Sequence, residues 1–412
     1  KASGRPDLSV VLVDGGEGAV AATFTPNRFA SAPVLLAREY LGGASHGTVA
    51  GLLSVSGCAN AATGDDGLAD QRRLTEVLAT AIGVAPEHIL SVATGMIGPR
   101  YPMGKLEPAL AALAGGTLGS DDAAFEAVAE ALRTTDSKAK WATVRLELPG
   151  ADGSPVAVTV SGVAKGVGMI HPRMATMLAY VLTDAAVEPD VLSRLLRPVV
   201  ARTWDQLTVD GDTSTSDTVY LVASGGSGAV TVAPGATGWE AFAAAVEAVC
   251  RSLARQQAAD GEGATSLITC LVTGARDDAE ARAAARAVVA SSLFKAAVHG
   301  RDPNWGRIAD ALGNAQLADA AVLVASGTPP DEAEARGGTR LDLDPDRVRI
   351  SIAGTEVFAG VPVAFDAAAV SKAMDTEEVR VWVDLGDGVG VGEAFGCDLT
   401  EAYVRENSEY ST

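Results

Sequence analysis

The 412 residues predict a layered α/β sandwich with a smaller C-terminal α/β lobe, and three observations lead there. Apolar residues make up 48% of the chain, enough to fill more than one core. Short Val/Ile/Leu runs bounded by Gly, Pro, Asp or Asn alternate with Ala-rich stretches whose apolar residues recur every three or four positions. Such mixing describes sheets covered by helices. In chain order, "LSVVLVD" at 8–14 reads as a strand, 68–82 and 122–133 as helices, and 143–148, 155–161 and 177–183 as strands. A helix is expected at 187–201, a strand at 218–223, a helix at 239–258, a strand at 266–273 and a helix at 278–295, before strands at 348–353 and 379–385. Gly/Pro-rich stretches at 224–238 and 325–345 suggest lobe boundaries, and about 277–395 is expected to form the smaller lobe.

Charge narrows the range of partners. Thirty-two Lys and Arg face 52 Asp and Glu, a formal charge of -20 that repels phosphate backbones and anionic headgroups. Neither nucleic acid nor a membrane is therefore expected as a partner. Cys58, Cys250, Cys270 and Cys397 are far apart, with no C-x-x-C, which fits a reduced compartment. No apolar run is long enough to span a bilayer and no signal-peptide layout is visible, so a cytoplasmic location is expected. The chain opens on Lys1 rather than Met, close to a strand, and a segment ahead of it, either removed or left out, is expected.

Several motifs fail on their chemistry. "LGDGVGVGEAFG" (385–396) alternates glycines without satisfying G-x-G-x-x-G and reads as a glycine-rich turn. Asp210, Asp212 and Ser214 imitate a calcium loop, but Thr215 stands where the turn glycine belongs and Leu221 where the bidentate glutamate belongs. There is no P-loop, and His46, His88, His171 and His299 have no metal-ligand spacing, so no metal is expected. A Ser–His–Asp device would require His171 or His299 to face a nucleophile, and His171, before Pro172, reads as an ordinary loop residue.

Another base becomes available if Thr176 is a chain terminus. In "AKGVGMIHPRMATMLAYVLTDA" (164–185), a glycine-rich loop leads into an apolar strand with Thr176 at the join. A strained loop over 166–175 would let the Thr176 hydroxyl attack the Ala175 carbonyl, and water would then release the ester. The freed α-amine, titrating near pH 8, can deprotonate the hydroxyl of its own residue. On residue type alone, a Thr opening a strand is ordinary β propensity.

The same segment resembles the self-cleavage region of the ornithine acetyltransferases, the bifunctional glutamate N-acetyltransferases, with the pattern K-G-x-G-M-x-x-P-x-M-A-T-M-L. Collinear blocks extend the resemblance over nearly the whole chain: "FTPNRFASAPV" (24–34), "SGCANAATG" (56–64), "ATGMIGPRYPMGKL" (93–106), "TTDSKAK" (134–140), "DGDTSTSDTV" (210–219), "DGEGAT" (260–265), "GRDPNWGRI" (300–308) and "CDLTEAYVRENSEYST" (397–412). The resemblance implies cleavage at Ala175–Thr176 into an α chain, 1–175, and a β chain, 176–412, held together as α2β2. It also implies an architecture related to N-terminal-nucleophile hydrolases and ping-pong acetyl transfer from N-acetylornithine to glutamate through an acetylated threonine.

By that resemblance Thr176 is nucleophile and α-amine base, and Thr94 and Gly95 form the oxyanion hole. Lys165, Thr135, Thr176, Glu262, Asn407 and Thr412 hold the substrate, with Thr134 competing for the role of Thr135. Lys165 suits the substrate carboxylate and Glu262 its distal ammonium. No cofactor is implied, and acetyl-CoA stays open as a co-substrate. Departures from the family pattern are Val55 and Cys58 in place of amides, Ser266 in place of a lysine and Ser411 in place of an arginine. Two alternatives remain: an amidohydrolase or aminopeptidase of similar architecture using the same threonine, and a specialised-metabolism paralogue acting on another N-acyl amino acid. A non-enzymatic scaffold would have lost Thr176, Thr94 or Gly95, and all three are present.

Overall fold

The computed structural model describes residues 4–114, 116, 118–171 and 177–408. The described residues form a mixed α/β structure with three sheets, in two compact units. The first comprises residues 1–166, 173–199 and 213–253, and the second residues 167–172, 200–212 and 254–412.

The strands of the first unit are β1 (Leu8–Leu12), β2 (Gly18–Phe24), β3 (His46–Val49), β4 (Gly51–Cys58), β5 (Ile89–Met96), β6 (Lys140–Pro149), β7 (Pro155–Lys165), β8 (Leu178–Thr183) and β9 (Thr218–Ala223). They form a three-stranded sheet in the order β1-β4-β5 and a six-stranded sheet in the order β3-β2-β9-β8-β7-β6. Four helices belong wholly to this unit: α1 (Ala32–Tyr40), α2 (Gly64–Ile82), α3 (Met103–Ala114) and α4 (Asp122–Leu132). α5 (Pro189–Arg202) and α6 (Trp239–Ala259) begin in it.

Alternation along β4 and β5 builds the layers. Leu53, Val55, Ile89 and Ala93 pack with Leu74 and Leu78 of α2 and Leu110 of α3. Their neighbours Leu52, Leu90 and Val92 pack on the opposite face with Val163, Leu178, Tyr180 and Tyr220 of the six-stranded sheet. A strand period of two therefore gives one sheet two apolar faces. On the far side of the larger sheet, a methyl at Gly162 would press on Val249 and Leu253, so glycine there lets α6 lie close. The buried Tyr180 and Tyr220 hydroxyls donate to the Leu53 and Ser91 carbonyls (3.3 and 3.1 Å) and so tie the two sheets together.

The second unit has one sheet, β12-β11-β13-β10-β14, made of β10 (Leu267–Ala275), β11 (Arg349–Ile352), β12 (Thr355–Ala359), β13 (Glu378–Asp384) and β14 (Gly390–Cys397). Its helices are α7 (Asp278–Ala290), α8 (Ser292–His299), α9 (Trp305–Gly313), α10 (Ala320–Ala325), α11 (Pro330–Arg336), α12 (Ala367–Ala373) and α13 (Glu401–Ser408). Ala281, Ala284, Ala285, Val288 and Val289 of α7 pack into a core with Ile268, Cys270 and Val272 of β10.

Each of the eight expected strands is present within a few residues of its expected bounds. Two expectations need correction. The helix expected over 278–295 breaks at Ser291, whose extended backbone ends α7 and whose hydroxyl accepts the Phe294 N–H to cap α8. The glycine-rich turn expected at 385–396 is mostly strand β14, where methyls at Gly390 and Gly392 would overlap the backbone at Asp277 and at Ala281 and Arg282 of α7. Close helix-on-strand packing, not turning, is what those two glycines provide. Among the described residues, no helix is long and apolar enough to cross a membrane.

Candidate active site

Within the first unit a buried polar cluster gathers at the ends of β5 and β7. Lys165, the last residue of β7, is only 3% exposed, and its ammonium donates to Thr134 Oγ1 at 2.7 Å and Thr94 Oγ1 at 3.2 Å. An ammonium can only donate, so Thr94 accepts that bond and keeps its own hydroxyl proton for another acceptor. Thr94 is itself buried on β5, in parallel register with Ser56 of β4. Gly95 follows at φ +124°, paired with Gly57, and a methyl on it would overlap the Gly57 backbone. Both the left-handed backbone and the close approach require glycine there.

The fully buried Asp136 organises this cluster. Its Oδ1 accepts from Lys140 Nζ and the Gly166 N–H, both at 2.8 Å, its Oδ2 accepts the Thr134 N–H at 3.2 Å, and Lys165 Nζ is 3.9 Å from Oδ2. Burial disfavours its charge, but Lys165 and Lys140, with the hydrogen bonds from Lys140 and Gly166, outweigh it and bring the carboxyl down from 3.8 to about 2. A depressed folded-state value means the stabilisation is fully present above about pH 4 and is lost as the pH falls towards 2. The shift corresponds to about 2 kcal/mol at neutral pH. Asp136→Asn should lower the urea-unfolding free energy at pH 7 by at least that much, with the gap to wild type closing on acidification. A gap independent of pH would contradict the charge assignment.

Two carboxylates of the 210–217 segment each bind backbone amides, one in each unit. In the second unit Asp210 accepts the Met169 N–H at 2.5 Å and the Ile170 N–H at 2.8 Å. In the first unit Asp217 Oδ1 accepts the Met177 N–H at 3.1 Å, and the Met177 carbonyl accepts the Thr218 N–H at 3.0 Å. From there β8 pairs antiparallel with β7, Leu178 opposite Lys165, and parallel with β9. Ala175 and Thr176, the expected cleavage pair, lie outside the described residues, as does Thr412.

Also in the second unit, the buried Glu262 donates its N–H to the Val167 carbonyl (2.8 Å), and its Oε2 accepts Asn407 Nδ2 at 2.9 Å. A methyl at Gly168 would overlap the Glu262 carboxylate, which explains the second glycine of "KGVG". His171 Nδ1 sits 3.0 Å from Thr208 Oγ1, and His299 Nδ1 3.2 Å from Asp398 Oδ2. Thr135 is exposed, and Thr134 Oγ1 accepts from Lys165. Of the departures from the family pattern, Val55 is buried in the core beneath α2 and α3, Cys58 donates to the Pro99 carbonyl, and Ser266 binds Asp398 and the Thr376 carbonyl. Residue-by-residue reading missed Asp136, Lys140, Asp210, Asp217 and Gly168. All but Gly168, which lies in the opening segment itself, stand inside the blocks "TTDSKAK" and "DGDTSTSDTV".

Comparison with known proteins covers the whole length. The model of the ArgJ family matches residues 1–412. An arginine biosynthesis bifunctional protein ArgJ from Thermus thermophilus is 43% identical over 412 residues, covering 100% of this chain and 95% of the relative. Among solved structures, an arginine biosynthesis bifunctional protein from Bacillus halodurans is 35% identical, over 56% of this chain and 97% of that one, with a TM-score of 0.48. An ornithine acetyltransferase from Mycobacterium tuberculosis, complexed with ornithine, is 31% identical over 43% of this chain and 87% of its own, with a TM-score of 0.32. Full-length coverage at such identity leaves one assignment: the chain belongs to the ArgJ family of arginine-biosynthesis enzymes, the ornithine acetyltransferases.

Proposed function

We propose that the chain cleaves itself at Ala175–Thr176 and then moves acetyl from N-acetylornithine to glutamate through an acetyl-Thr176 ester. The observation that carries this reading is the buried Lys165–Thr94 pair, which leaves a hydroxyl proton on Thr94 free, at the end of the strand paired with the one that follows Thr176. In cleavage the Thr176 hydroxyl adds to the Ala175 carbonyl, the peptide nitrogen leaves with a proton, and water hydrolyses the ester, so that 1–175 and 176–412 together weigh one water more than the precursor. The lobe of about 277–395 then falls within the second chain. The two chains stay together, as α2β2, in the cytoplasm.

In turnover the Thr176 α-amine takes the hydroxyl proton as Oγ attacks the acetyl carbonyl, Thr94 and Gly95 stabilise the oxyanion, and ornithine leaves carrying the proton. Lys165, with Thr135 or Thr134, takes the substrate carboxylate. Glu262, steadied by Asn407, takes the distal ammonium, and Thr412 completes the set. Glutamate then accepts the acetyl group by the reverse path, and acetyl-CoA is an alternative donor to test. Initial rates at varied N-acetylornithine and glutamate should give parallel double-reciprocal lines. Intersecting lines would overturn the acetyl-enzyme route in favour of a sequential mechanism, and acetyl release to water at the same rate without glutamate would overturn transfer in favour of a hydrolase.

A further inference from the structure

Acetyl transfer as proposed makes no use of Asp217, a fully buried carboxyl placed just ahead of β9. Its Oδ1 accepts the Met177 N–H, its own carbonyl accepts the Thr25 N–H at 2.9 Å, and the next residue, Thr218, donates to the Met177 carbonyl. The Met177 backbone is thus gripped at both its N–H and its C=O by consecutive residues. Burial pushes this carboxyl well above the ordinary carboxylate range, against the opposing pull of the Met177 N–H, the Thr25 and Ser214 hydroxyls and the Lys165 charge.

The Met177 nitrogen is bonded directly to the carbonyl carbon of Thr176, so whatever holds that N–H limits rotation of the peptide on the C-terminal side of the nucleophile. We propose that Asp217 is a positioning residue for self-cleavage: its buried Oδ1 holds the Met177 N–H, and with it the peptide bond that follows the expected cleavage threonine. The inference rests on the cleavage reading above. Attack within one chain depends steeply on orientation, so loss of the anchor reads out as rate. A neutral amide reproduces what is required of the group, an acceptor oxygen in the same place, and the carboxylate charge is not needed.

The test is a time course of precursor conversion for the full-length chain made by cell-free translation, followed by intact mass, for wild type, Asp217→Asn and Asp217→Ala. Thermal melts confirm that each variant is folded. Asp217→Ala should cleave at least about tenfold more slowly than wild type, while Asp217→Asn stays within about threefold of it. If the alanine variant does not fold, Asp217→Ser, which withdraws the oxygen from Met177, takes its place with the same expectation. A folded Ala or Ser variant cleaving at the wild-type rate overturns the inference, as does a folded Asn variant as slow as alanine, which would make charge or proton transfer the role. Wild type that fails to break at Ala175–Thr176 sinks the cleavage reading itself, a result distinct from either.

Discussion

Replacing Thr176 by Ala should leave a single uncut chain and reduce acetyl transfer by at least about 10⁴-fold, the scale seen when an acyl-transfer nucleophile is removed. On the proposed mechanism two losses coincide in that variant, because it assigns the side-chain hydroxyl as nucleophile and the α-amine exposed by cleavage as its base. Thr176→Ser retains both groups and should cleave and turn over, more slowly, since a serine hydroxyl has more χ1 freedom than the β-branched threonine. Denaturing gels and initial rates on the same preparations separate the two effects. An uncut Thr176→Ala variant with wild-type turnover would show that Thr176 is only a strand residue.

Thr94→Val should reduce kcat by about 10² to 10³, or roughly 3 to 4 kcal/mol of transition-state stabilisation, with little change in KM. Valine keeps the branched shape on β5 and removes only the hydroxyl, which accepts from Lys165 and has its proton free to donate. Gly95→Ala provides the contrast. Its methyl would meet the Gly57 backbone at a left-handed φ, so the variant should lose thermal stability as well as rate. A Thr94→Val enzyme with unchanged kcat would remove Thr94 from the oxyanion site.

How much of this was legible in the sequence depended on side-chain shape. The eight expected strands are rich in Val, Ile and Leu, whereas β2 ("GAVAATF") is built largely from Gly and Ala, and β4 ("GLLSVSGC") and β5 ("ILSVATGM") interrupt their apolar residues with Gly, Ala, Ser and Thr. Small residues suit strands pressed between layers on both faces, but they carry little strand propensity by themselves. The same physics hid β14, whose glycines are needed by α7 rather than by a turn. At the site, Thr94, Lys165 and Glu262 were singled out only through the family resemblance, since a threonine, a lysine or a glutamate in isolation has an ordinary solvated or turn reading. Asp136 and Asp217 gave no signal that residue type could carry, because what distinguishes them is burial against Lys140 and Lys165 in one case and the Met177 N–H in the other. The calcium-like spacing of Asp210 and Asp212 also found its meaning in three dimensions, where Asp210 binds the amides of Met169 and Ile170.

The most direct test of the account is a denaturing intact-mass spectrum of the purified, active wild-type protein. The account predicts two species that break between Ala175 and Thr176 and together exceed the precursor by one water, the second beginning with an unblocked threonine. A single unbroken chain from an active preparation would contradict it, because no α-amine would then exist at Thr176 to act as the base.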